Sequence, residues 1–146
     1  MNFSKTTEYS FRILSYMAKD EERLYTTTDL YEDLKIPFRY LRKLMTILSN
    51  NSLLVSFKGK NGGYRLSKKS GKIRLSDIVK VTGDSQTVSK CFFGFQDCPL
   101  TEKCAMHERW VRVTEHIHDI LNSTTLADLQ ESKPQHIFNK ISKNLT

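Results

Sequence analysis

An even set of cysteines is missing. The chain has three in 146 residues, and no signal-like apolar segment opens it, so a secreted scaffold held by disulfides is not expected. A chain of this length buries enough apolar surface to fold without such bonds, as one domain or a compact domain with a dimerisation element. No apolar run approaches the roughly 18 residues that cross a bilayer. The expectation is therefore a cytoplasmic protein with reduced thiols and no membrane partner. Internal repeats and low-complexity stretches are absent. There is also no Ser-His-Asp order, no phosphate-cradling loop and no pair of carboxylates set for acid–base work, so the chain does not read as an enzyme.

Acidic residues are scarce in one place. From Lys35 to Lys80 there are twelve Lys or Arg and a single acid, Asp77, whereas residues 1–34 carry four bases and seven acids and residues 81–146 carry seven and eight. The net charge of +7 thus comes from the middle third. A basic block confined to one compact segment points to a polyanionic partner, most often nucleic acid.

The periodicity of that region gives the block a shape. "SKTTEYSFRILSYMAKD" reads as a helix with Ser4 as N-cap and an apolar stripe of Tyr9, Ile13, Leu14, Tyr16 and Met17. "TTTDLYEDLKI" reads as a shorter helix, with Thr26 and Asp29 at capping-box spacing. Pro37 suits the first turn of a third, "PFRYLRKLMTILSN", in which Leu41, Leu44, Met45 and Leu48 follow the i, i+3, i+4, i+7 rule. Arg39, Arg42, Lys43, Thr46 and Asn50 then share its opposite, cationic side. "LLVSFKGKNGGYRLSK" switches to alternation around Lys-Gly-Lys-Asn-Gly-Gly, a hairpin whose Asn-Gly and Gly-Gly steps are expected to supply positive φ at the tip. "RLSDIVKVTGD" reads as a helix capped by Ser76 and stopped at Gly83. Helix, short helix, cationic helix and basic hairpin are the parts of a winged helix-turn-helix. Its third helix offers Arg39, Tyr40, Arg42, Lys43 and Thr46 to a groove of double-stranded DNA, its wing offers Lys58, Lys60, Asn61 and Arg65, and the N-terminus of the second helix offers Thr28 to a phosphate. No aromatic platform of the kind that stacks splayed RNA bases is present.

Residues 85–103 show no period and read as a loop, which at that length needs a functional reason. All three cysteines fall in or beside it, as Cys-x6-Cys-x5-Cys-x2-His from Cys91 through Cys98 and Cys104 to His107. The gaps are too long for the usual structural zinc knuckle, and a redox Cys-x-x-Cys is absent. Three thiols able to wrap one object, with a nearby fourth ligand, suit an iron–sulfur cluster. Cys104 and His107 stand at i, i+3, on one face of a helix start. Lys90 and Lys103 are placed to offset an anionic group, while His116, His118 and His136 show no ligand spacing. From about Ala105 to Asn122, Met106, Trp110, Val113, Ile117 and Ile120 step by four and three, a seam that predicts a partner helix from a second copy. "TTLADL" makes a further turn, and the tail past Glu131 is polar.

Taken together, the wing "KGKNGGYRL", the cysteine triad, "CAMHERW" and "TLADL" resemble the iron–sulfur-sensing winged helix-turn-helix transcription regulators of the IscR and NsrR type, over almost the whole chain. The resemblance implies a mainly α fold with a β-hairpin wing and a long C-terminal dimerisation helix. It divides the chain into a DNA-binding domain (1–83), a cluster-binding loop (84–104), a dimerisation helix with its following turn (105–131) and a polar tail (132–146). It further implies a homodimer on a pseudo-palindromic operator, acting as a repressor, with DNA binding tuned by the cluster as a sensor of iron status, oxidant or nitric oxide. For the fourth ligand it offers two rivals. His107 stands where IscR-like members bind a two-iron cluster, and Glu8 stands where NsrR-like members bring an acid from the other subunit to a four-iron cluster. The six-residue first gap matches neither type, Arg12 replaces the histidine of a related branch, and Arg42 replaces the glutamate of IscR-like recognition helices. The alternative is a cluster-free regulator answering to thiol oxidation or to a protein partner.

Overall fold

The computed structural model describes residues 2–100 and 104–131. Lys103, His136 and the tail 132–146 lie outside the described residues. The elements run α1 (Lys5–Met17), α2 (Thr27–Leu34), α3 (Phe38–Asn50), β1 (Leu54–Phe57), β2 (Gly63–Leu66), a 3-10 turn (Ser70–Lys72), α4 (Leu75–Val81), α5 (Ser85–Ser89), α6 (His107–Ser123) and α7 (Leu126–Glu131). This is a mainly helical winged fold with one two-stranded antiparallel sheet among the described residues.

The first three helices form where capping and periodicity place them. Ser4 Oγ accepts from Thr7 N at the start of α1. At α2, Thr26 Oγ1 accepts from Asp29 N at 3.1 Å and Asp29 accepts from Thr26 N at 2.9 Å, satisfying two amides that a helix start leaves open. Those bonds, the Thr26 backbone contact first, hold the Asp29 carboxyl below its ordinary range. Lys35 ends α2 in the left-handed region, at φ 55. Pro37 lies one position earlier than expected, at the N-cap of α3, where its carbonyl accepts from Leu41 N at 2.9 Å. Tyr16 on α1 ties to α2 through a hydroxyl donated to Asp33. Burial, reinforced by that bond, pushes the Tyr16 phenol up to about 12.

The wing is in register Leu54↔Leu66, Val55↔Arg65, Ser56↔Tyr64 and Phe57↔Gly63. Leu54 and Leu66 face the core, while Val55 and Phe57 point to solvent. The turn chemistry differs from expectation. Positive φ falls on Gly59, at 112°, and on Gly63 of the Gly-Gly step, at 158°, but not on the Asn61-Gly62 step. Gly62 is needed for space: a Cβ there would lie 2.0 Å from the Phe57 carbonyl oxygen. Tyr25 and Tyr64 exchange backbone bonds of 2.9 and 2.8 Å, so β2 is stitched to the segment that enters α2.

One apolar cluster joins Ile13, Leu14 and Met17 of α1, Leu30 of α2, the four inward residues of α3, Leu54, Leu66, Ile73, Ile78 and Leu126. A second, smaller one joins Val79, Val88 and Leu121, with Phe3, Phe11, Leu75 and Ile117 against it. Three expectations change here. The N-cap of α4 is Arg74, not Ser76, because Asp77 reaches back to accept from Arg74 N at 2.9 Å. Residues 85–89, expected to be loop, form α5, since Val88 plugs the second cluster. The apolar seam of α6 is divided between two faces. Trp110 and Ile117 turn to their own chain, where Trp110 Nε1 donates to the Lys90 carbonyl at 2.7 Å and Ile117 joins the second cluster. Val113 and Ile120 remain about half exposed. A helix with 3.6 residues per turn drifts about 20° per heptad, so a 4-3-4-3 spacing can serve two surfaces. After α6, α7 buries Leu126 completely in the first cluster, and Gln130 donates to the Ser15 carbonyl of α1 at 2.8 Å.

Candidate nucleic-acid interface and cysteine pocket

The inward residues of α3 fix which side chains face out. With Leu41, Leu44, Met45 and Leu48 buried, Arg39, Arg42, Lys43 and Thr46 stand on the open side. They line a groove of about 530 Å³ together with Thr27 at the start of α2, Phe38, and Tyr64 of the wing. Thr46 spends its hydroxyl proton on the Arg42 carbonyl at 3.1 Å, which leaves its oxygen to accept. Arg39, Arg42, Lys43, Lys58 and Lys60 make no ion pair among the described residues. Their charge is therefore uncompensated by the fold. Thr28 is exposed on the first turn of α2, and Asn50 at the far end of α3.

The wing tip carries exposed Lys58, Lys60 and Asn61. Arg65 lies on the solvent face of the hairpin, its guanidinium 5.1 Å from the centre of the Phe57 ring. Tyr40 is placed differently from its neighbours. Its hydroxyl meets Thr6 Oγ1 at 2.6 Å and its ring meets Tyr9 edge-on at 5.6 Å, so it joins α3 to α1 and does not line the groove. The sequence reading missed Phe38 and Tyr64 as groove residues, whereas Thr27 belongs to the α2 N-terminus that it turned toward a phosphate. Phe38 stands three residues before Leu41 and seven before Met45, in line with the buried stripe, so spacing alone marks it as a core position and not as a groove one.

The three thiols are free and line one pocket of about 160 Å³ with His107, Phe92, Met106 and Trp110 among its walls. Local backbone structure explains the gathering. Gly94, at φ 85, turns the chain so that its N–H donates to the Cys91 carbonyl at 2.8 Å, and Cys91 N donates to the Phe95 carbonyl at 3.3 Å. His107 N donates to the Cys104 carbonyl at 3.1 Å, which sets both residues at the start of α6. The N-terminal partial charge of that helix favours an anionic guest. Cys91 and Cys104 are half-buried and Cys98 is exposed. Among the described residues no three His, Cys, Asp or Glu side chains stand close enough together to hold a metal ion. Glu8 does not line the pocket and pairs with Lys5 at 2.7 Å; that hydrogen bond raises the Lys5 ammonium pKa.

A short polar relay lies between the two sites. Asp84, which opens α5 and so leads to Cys91, accepts from Thr7 Oγ1 at 2.6 Å and from Ser4 N at 2.7 Å, and Thr7 also meets Thr82 at 2.6 Å. Burial would raise the Asp84 carboxyl, but these bonds outweigh it and hold the pKa low. Thr6, the residue before Thr7, makes the bond to Tyr40 on α3.

Residues 3–132 match the family Rrf2, described as an iron-dependent transcriptional regulator. The chain belongs to the Rrf2 family. Its Rrf2 relatives include an HTH-type transcriptional regulator of Aquifex aeolicus, 31% identical over 94% of this chain and 97% of that protein. They include NsrR of Geobacillus kaustophilus, 29% identical over 91% and 92%, and IscR of Erwinia tasmaniensis, 35% identical over 69% and 61%. In three dimensions the chain is similar to CymR, the global cysteine regulator of B. subtilis, with a TM-score of 0.78, 26% identity and 90% and 98% coverage. As an Rrf2 protein it is a transcriptional regulator and not an enzyme. No helix among the described residues is long and apolar enough to cross a membrane.

Proposed function

We propose that this Rrf2 protein is a homodimeric DNA-binding repressor whose grip on its operator is set by an iron–sulfur cluster held by Cys91, Cys98 and Cys104. The observation that carries the reading is that three free thiols and His107 share the walls of one pocket. The donor set has the softness and number such a group needs, and the Cys91–Leu100 segment must rearrange to bring exposed Cys98 to the others. His107 is favoured as fourth ligand because it already lines the pocket, whereas Glu8 would have to come from a second subunit. When bound, such a group supplies sensitivity to oxidant, iron supply and nitric oxide.

The rest of the mechanism belongs to the protein's own residues. Arg39, Arg42 and Lys43 meet base edges or phosphates in the major groove, Lys58 and Lys60 meet the backbone or minor groove, and Thr27 and Thr28 present the α2 N-terminus to a phosphate. Any rearrangement of the cysteine segment pulls on α5, and through Asp84 and Thr7 on the first turn of α1, whose Thr6 holds Tyr40 of the recognition helix. Cluster and DNA are then linked ligands, and a coupling of about 1–3 kcal/mol changes DNA affinity by five- to 150-fold.

The test is anaerobic purification with visible spectrum, iron and sulfide analysis, followed by operator binding. Wild-type protein is expected to be coloured and to lose operator affinity when the cluster is removed. A colourless wild type, or a Cys91→Ala/Cys98→Ala/Cys104→Ala variant with unchanged operator affinity, overturns the reading. His107→Ala and Glu8→Ala compared side by side identify the fourth ligand by loss of cluster stability. The thiol-oxidation alternative draws support from the absence, among the described residues, of three His, Cys, Asp or Glu side chains close enough together to hold a metal ion. It predicts a response that a single Cys→Ser change abolishes in iron-free protein.

A further inference from the structure

We propose that Phe38 reads the methyl group of a thymine beside the base pair read by Arg42. This rests on the DNA-binding reading above and adds to it a base preference. Phe38 is the first residue of α3, and it is the first turn of a recognition helix that meets base edges. Its ring is 41% exposed and lines the same groove as Arg39, Arg42, Lys43 and Thr46.

A lone exposed phenylalanine is ordinary on a protein surface. This one is held in place. Tyr31 of α2 meets it edge-to-face, with ring centres 5.7 Å apart and planes at 83°, so the ring surrenders little freedom when it docks. Every other side chain that α3 gives the groove carries a nitrogen or oxygen, suited to guanine, phosphate or an amide edge. Phe38 offers only carbon. The one carbon substituent that distinguishes base pairs in the major groove is the C5 methyl of thymine. Phe38 and Arg42 are one turn apart on the same face, about 6 Å along the axis at 1.5 Å per residue, which spans under two base steps of 3.4 Å. The preferred site therefore holds a thymine within two base pairs of the guanine that Arg42 contacts.

The experiment begins with duplexes selected from a random pool by the wild-type protein. Each thymine of the selected site is then replaced in turn by deoxyuridine, which deletes only the methyl. At one thymine near the Arg42-dependent guanine, wild type is expected to lose about fourfold in affinity, the worth of one buried methyl. Phe38→Ala is expected to bind the thymine and uracil duplexes equally. Equal wild-type affinity for every substituted duplex overturns the proposal, and this arm needs no variant to fold. So does a Phe38→Ala protein that keeps the wild-type preference for thymine. A wild type that enriches no sequence overturns the DNA-binding reading itself, and this proposal with it, by a separate observation.

Discussion

Around α3 the apolar side chains are sealed: Leu41, Leu44, Met45 and Leu48 are all at most 1% exposed. Across the cysteine segment the apolar side chains are open, with Phe93 at 62% and Leu100 at 56%, and among the described residues the local backbone bonds amount to the turn around Gly94. Burial on that scale gives α3 one fixed position, set before any ligand arrives. The cysteine segment has no comparable core of its own, so its conformation is free to depend on what occupies the pocket. The contrast separates a rigid reading surface from a segment that can move, and places the relay through Asp84, Thr7, Thr6 and Tyr40 between them.

The contrast is broken most directly by core truncation. Leu44→Ala should lower the unfolding free energy by about 2–5 kcal/mol, through lost burial and a cavity, read by chemical denaturation. Cys98→Ala in metal-free protein should stay within about 0.5 kcal/mol of wild type. Equal losses in the two variants would mean that the segment is as tightly built as the head. Next in size is Thr7→Val, which removes a buried hydroxyl from Asp84 and Thr82. It is expected to cost about 1–3 kcal/mol and, in cluster-loaded protein, to shrink the difference in DNA affinity between loaded and stripped forms. A stability loss with the full difference intact would rule the relay out. Thr26→Ala tests the head alone and should cost about 1 kcal/mol with α2 uncapped, leaving iron content unchanged.

The smallest expected effect is with pH. Asp84 and Asp29 have folded pKa values below their ordinary 3.8, and Glu21 is held below its ordinary 4.5, chiefly by its bond from Ser70. A depressed carboxyl contributes stability that is present above its unfolded pKa and lost as pH falls through its folded one. Acid titration below about pH 4 should therefore weaken the fold, and Asp84→Asn should flatten that part of the profile. A steeper profile in the variant would contradict the assignment.

Much of the head was legible because its signals are dense. Four inward residues of α3 repeat over about two turns, and the Thr26–Asp29 box declares its own helix start. The wing was legible as a hairpin but not in its turn, since nothing in Lys-Gly-Lys-Asn-Gly-Gly says which glycine bends and which merely leaves room. Five residues are too few to show a period, and α5 is held by a tertiary contact, Val88 in the second cluster. The division of the α6 seam was not legible, because spacing alone does not tell which apolar positions meet their own chain, as Ile117 does, and which stay open, as Val113 and Ile120 do. The groove residues Arg39, Arg42 and Lys43 could be read as the complement of the buried stripe, whereas Tyr64 entered the groove through its pairing with Tyr25, a contact no local pattern encodes.

Trp110 is the chain's single tryptophan. It is anchored to the Lys90 carbonyl, meets Phe92 edge-on with ring centres 5.4 Å apart, and forms part of the wall around the thiols. Its fluorescence comes from that one spot, so emission intensity alone should follow filling and emptying of the site in real time, without any added dye.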